Sequence, residues 1–108
     1  MNTIAYLAEA LGNTIEWRHG KASEYPDDAR NHDAVKICEL IVDDMGDLDP
    51  ETAAQVEASF PPPDDWDSHH TQMVSDYIGR IGFDHFPRTA GEFLWAVVNV
   101  VGYGREAA

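Results

Sequence analysis

The chain has 108 residues, with 20 acidic against 7 basic side chains and a net charge of −13. A surface of that sign is repelled by nucleic acid and by anionic membranes, which disfavours direct binding to either. Its apolar fraction of 44% is that of a globular protein and argues against charge-driven disorder, so residues 1–108 read as one domain with a real core.

A first helix is expected from a cap at Asn2 or Thr3 to about Arg18. Its stripe is Ile4, Leu7, Ala8, Leu11 and Ile15, weakened at Gly12 and ended by His19-Gly20. This N-terminal stretch has no basic run and carries Glu9, so it does not read as a signal peptide. Residues 20–30 read as a loop in which Pro26 opens an extra turn. The second helix is expected from about Asn31 to Met45. Ala34, Ile37, Cys38, Ile41 and Met45 face inward, Leu40 and Val42 widen that face, and Gly46 is the C-cap. Cys38 is the lone cysteine and has no internal partner, which favours a reducing, cytoplasmic setting.

Asp49-Pro50-Glu51 combines an N-cap, a proline at the first helical position and an early acid. It starts a third helix to about Phe60, with Ala53, Val56 and Phe60 facing in, and Pro61-Pro62-Pro63 stops it. Asp67 or Ser68 caps a fourth helix, with Met73, Val74, Tyr77, Ile78 and Ile81 on its stripe and Gly82 at its end. Thr89-Ala90-Gly91-Glu92 matches a capping box and opens a fifth helix through Val101. That helix is apolar on most of its circumference, which suits the centre of a bundle or a homodimer interface. Its run Phe93–Val101, broken by Asn99, is too short to span a bilayer. No segment alternates apolar and polar residues convincingly. The expected fold is all-α, a compact bundle of four to five helices, with Ile41, Ile78 and Val97 buried.

Charge is distributed unevenly. Residues 26–68 hold thirteen acids and two basic side chains, Arg30 and Lys36. Helix N-termini account for part of this block: Asp27, Asp28 and Asp33 lie at the start of helix two, Asp49 and Glu51 at helix three, and Asp64, Asp65 and Asp67 at helix four. Each such acid is stabilised by about 0.3–1 kcal/mol against unsatisfied amides and the helix dipole. Asp43 and Asp44 fall instead in the last turn of helix two, where the dipole opposes them. Asp47, Asp49 and Glu51 follow with no basic neighbour, so like charges repel unless a cation relieves them.

That cation is either a basic protein surface or a metal. The run from Asp43 fails the calcium-loop pattern, because Gly46 comes too early and position twelve is Ala54. His69 and His70 are adjacent, and at a helix start adjacent side chains diverge by about 100°. The His32-Asp33 dipeptide also occurs in metal-dependent phosphohydrolases. A small metal-dependent hydrolase or metal-binding domain using His32, Asp33, His69 and His70 is therefore the alternative reading. No spacing in the chain matches a known metal site, so no metal or cofactor is expected. Cys38 on an inward face is a packing residue, and no nucleophile motif surrounds Ser68 or Ser75. Trp66 follows three prolines and two aspartates, either as a lid on the core or as an interface anchor rimmed by acids. Trp17 and Trp95 fall where burial is the default.

The preferred expectation is a non-enzymatic acidic protein that binds a basic surface on a protein partner through Asp43, Asp44, Asp47, Asp49, Glu51, Asp64, Asp65, Trp66 and Asp67. On a helix, acids three or four apart lie about 5–6 Å from each other, so carboxylates can stand in for phosphates. Small acidic inhibitors encoded by phages and mobile elements share this size and charge, which suggests a nucleic-acid mimic of the anti-defence or regulatory type. A homo-oligomeric structural protein built on the fifth helix is the remaining possibility.

Overall fold

Four short polar side chains set where the first four helices begin. Asn2, Asp28, Asp49 and Asp67 sit in extended backbone, and each accepts a backbone N–H from the turn that follows. The helices they open are α1 (Thr3–Glu24), α2 (Ala29–Gly46), α3 (Pro50–Ala58) and α4 (Ser68–Gly79). A fifth, α5 (Ala90–Ala107), follows, and a single 3₁₀ turn at Pro63–Asp65 links α3 to α4. These elements come from a computed structural model that describes residues 2–60 and 63–107, with side chains through residue 100. The expected stop at Pro61-Pro62 lies outside the described residues. The fold is all-α, with no strand among them, and its radius of gyration of 14.0 Å is that of a compact bundle.

α1 and α2 form the most extensive helix pair, and α5 packs across α2, α3 and α4. Leu7, Leu11, Cys38, Ile41, Val56, Val74, Ile78, Phe93, Leu94 and Val97 close the core between them. Ile41, Ile78 and Val97 are buried as the periodicity predicts.

The helix α1 runs past His19-Gly20 to Glu24, six residues beyond the expected end. A glycine inside a helix costs only about 1 kcal/mol, and the pairing with α2 outweighs that. Ala22 is buried, and Arg18 Nη1 donates to Asn31 Oδ1 at 3.0 Å. Arg18 Nη2 donates to the Gly79 carbonyl at 2.5 Å, placing a cation on the C-terminus of α4. The Arg18 guanidinium lies between the rings of Trp17 and Phe83, 4.3 and 4.2 Å from their centroids.

α4 ends at Gly79 rather than at Gly82. Ile81 still reaches the core, delivered by a tight turn in which Gly82 N–H donates to the His85 carbonyl at 2.8 Å. Gly82 adopts φ +86° there and lies against α2, where a Cβ would come within 2.7 Å of Ala34 Cα. At the start of α5, Thr89 Oγ1 accepts the Glu92 N–H at 3.1 Å, as a capping box requires. Glu92 reaches back to the Arg88 N–H, one residue earlier than in the usual box. Trp17 and Trp95, expected in or near the core, are both well exposed. Trp95 lies on the outer side of α5 because Phe93, Leu94 and Val97 occupy the inner one, and Trp17 backs the Arg18 cation.

Candidate partner-binding surface

The acid block divides into carboxylates with a structural partner and carboxylates that face water. Asp44 belongs to the first set: its Oδ2 accepts the Ala90 N–H at 2.7 Å, capping α5 from the last turn of α2. Glu57 Oε2 and Oε1 accept the Thr3 and Ile4 N–H groups at 3.0 and 2.7 Å, capping α1 from the end of α3. With Asp28 on α2, Asp49 on α3 and Asp67 on α4, every helix N-terminus is held by a carboxylate from residues 26–68. This corrects the view of Asp44 as an acid without internal work, while Asp49 is the N-cap of α3 that the sequence predicts. Asp49 binds both the Thr52 N–H and its hydroxyl, at 2.9 and 2.7 Å.

Three of these caps titrate below the ordinary carboxylate range. A side-chain hydrogen bond from Arg30 lowers Asp28, the Thr52 N–H lowers Asp49, and the His70 N–H lowers Asp67. A group whose folded-state pKa is lowered stabilises the fold above its unfolded value, about pH 4, and loses that contribution as pH falls through the folded value. Acid unfolding followed by circular dichroism is therefore expected to set in below about pH 4. Replacing Asp28, Asp49 and Asp67 by asparagine, which caps almost as well but cannot titrate, should flatten that dependence while leaving neutral-pH stability nearly unchanged. An acid transition identical in the triple variant would show that these carboxylates do not govern it.

Seven acids of the block remain: Asp27, Asp33, Asp43, Asp47, Glu51, Asp64 and Asp65 are all exposed and make no ion pair among the described residues. Glu39 faces only His19, at 4.0 Å. Of the residues expected to meet a partner, Asp43, Asp47, Glu51, Asp64 and Asp65 thus stay free on the surface, whereas Asp44, Asp49 and Asp67 are committed to helix ends. Trp66 is not an exposed anchor. It is 8% exposed and packs edge-on against Tyr6, at 5.2 Å between centroids, and against Phe60. The ring closes the core over the α3–α4 connection and leaves Asp64 and Asp65 outside.

Exposed apolar side chains lie elsewhere. Leu40 is 63% exposed on α2 and Phe86 is 62% exposed in the segment before α5. The spacing that put Leu40 on a widened inner face misplaced it. Lys36 and Asp43, four and three residues away and both exposed, mark that side as the solvent face.

The candidate metal ligands are scattered over the described residues. Among the described residues no three His, Cys, Asp or Glu side chains gather, so His32, Asp33, His69 and His70 are not brought into one site. His70 Nδ1 lies 3.4 Å from the Asp67 carboxylate, within the α4 cap. Burial pushes the Cys38 thiol up to about 11, which keeps it protonated and unreactive at neutral pH. No helix among the described residues is long and apolar enough to cross a membrane. The fold is an acidic helical bundle with seven exposed carboxylates that make no ion pair among the described residues. No protein family, curated protein or solved structure matches the chain.

Proposed function

We propose that this chain is a non-enzymatic binding protein whose free carboxylates engage a basic surface on a protein partner. A nucleic-acid-binding protein is the partner that best fits, with the chain acting as a nucleic-acid mimic that occludes its binding site. The observation that carries this reading is the set of exposed carboxylates left over after every helix is capped. Helix capping explains five acids of the block, and seven of the others repel one another with no ion pair to relieve them among the described residues. A basic partner gains fast, salt-sensitive association from such a field.

The test separates Asp43 and Asp47 from Asp44. Asp43→Lys with Asp47→Lys should weaken capture of basic proteins from a host lysate by more than about tenfold, a loss of about 1.4 kcal/mol, with no loss of thermal stability. Wild-type capture should fall between about 50 and 500 mM salt, as the screening length shortens from roughly 14 to 4 Å. Asp44→Lys should instead lower the melting temperature, because it places a cation on the N-terminus of α5. Equal capture by the reversed variant, or capture indifferent to salt, would sink the proposal.

A further inference from the structure

We infer that the partner is held at its centre by an apolar contact on Leu40 and Phe86, and that the carboxylates form its rim. The partner surface is accordingly amphipathic, with apolar side chains flanked by lysine or arginine. This deepens the reading of the acid block as a surface for a basic protein and rests on it.

Three contacts place the segment before α5 along one flank of α2. Gly82 abuts Ala34, the Arg30 guanidinium lies 4.7 Å from the Phe83 ring centroid, and the Ala90 N–H is bound to Asp44. Ala34 and Asp44 are ten residues apart on α2, a rise of about 15 Å. The chain turns back at His85, beside Ile81, and has five residues in which to reach Ala90. At about 3.3 Å per residue that distance requires an extended strap lying along the helix. Pro87 points inward and is buried, while Phe86 stands 62% exposed. The flank the strap follows carries Arg30, Ala34, Ile37, Ile41 and Asp44. Leu40 is the next position around α2 toward solvent, at the edge of the flank along which the strap carrying the exposed Phe86 runs.

Charge decides the occupant. Asp33, Asp43 and Asp47 surround Leu40 on α2, with Lys36 as the one cation among them, and Arg30 is held by Asp28 at 2.9 Å. Arg88, exposed on the strap, is the other nearby cation. A second copy would bring one acidic rim against another, so self-association on this face is opposed. A basic amphipathic surface satisfies both the exposed apolar pair and its rim, and buried apolar centres with polar rims are where interface energy concentrates.

The experiment uses two peptide probes of equal charge, an amphipathic lysine–leucine helix and an oligolysine, with binding to the full chain read by fluorescence anisotropy. The wild type should bind the amphipathic probe at least about tenfold more tightly. Leu40→Ala with Phe86→Ala should abolish that preference and leave oligolysine binding unchanged, while Asp43→Lys with Asp47→Lys should weaken both. If the alanine pair lowers the melting temperature, Leu40→Gln alone reads the same comparison. Equal wild-type affinity for the two probes would remove the apolar centre and leave the acid reading standing. Binding of neither probe would remove both readings. A preference retained by the alanine pair would put the apolar contact elsewhere. A wild-type dimer in light scattering that the alanine pair dissociates would assign the surface to a second copy.

Discussion

Phe93→Ala is expected to cost about 3–5 kcal/mol of unfolding free energy. Phe93 is fully buried in the first turn of α5, with its ring 6.1 Å from that of Tyr77 on α4. Leu7 and Leu11 on α1, Ile41 on α2 and Val56 on α3 belong to the same core cluster. Because α5 packs against α2, α3 and α4, a cavity at this fully buried position cannot collapse by moving one side chain, so the loss should lie toward the upper end for an aromatic truncation. Urea unfolding would measure it, with the midpoint falling and the slope unchanged. A loss below about 1 kcal/mol would mean that α5 is not seated across the bundle.

Gly82→Ala is the second large effect, at about 2–5 kcal/mol. Two independent costs combine. The left-handed backbone at φ +86° costs an L-residue about 1–2 kcal/mol. The added methyl meets Ala34 Cα, Cβ and N at 2.7–2.9 Å, and forcing extra volume into a packed contact costs typically 1–3 kcal/mol. Because the obstacle is helix backbone, the turn must lift off α2, and the strap that carries Phe86 moves with it. A lowered melting temperature accompanied by changed amide shifts at residues 82–90 is the expected result. An unchanged melt would refute the close approach of this turn to α2.

Much of the fold was legible along the chain because its signals are local. Asp49-Pro50-Glu51 places a cap, a preset φ and a dipole-matched acid on consecutive residues, and α3 begins there. Thr89 and Glu92 mark the start of α5 in the same way. The core followed from periodicity, which names Ile41, Ile78 and Val97 without knowledge of their neighbours. The candidate surface was legible only in outline. The acid block stands out from composition, but which acids are free does not. Asp44 and Glu57 act on helix ends 46 and 54 residues away, and no local pattern announces either bond.

By itself, then, the sequence determined the helical class, the starts of α2 to α5 to within about two residues, and the concentration of charge in residues 26–68. Each of these depends on side chains within one or two turns of each other. Tertiary structure decided the rest. It carried α1 through Gly20, because burial of Ala22 against α2 outweighs the cost of a helical glycine. It turned Trp66 inward onto Tyr6 and Phe60 and left Leu40 outside, because helix orientation is set by which faces fit together rather than by how apolar a single residue is. It also divided the acid block into carboxylates that close helix ends and carboxylates that face water, since a cap is made wherever a carboxylate and an unsatisfied amide meet, at any separation along the chain.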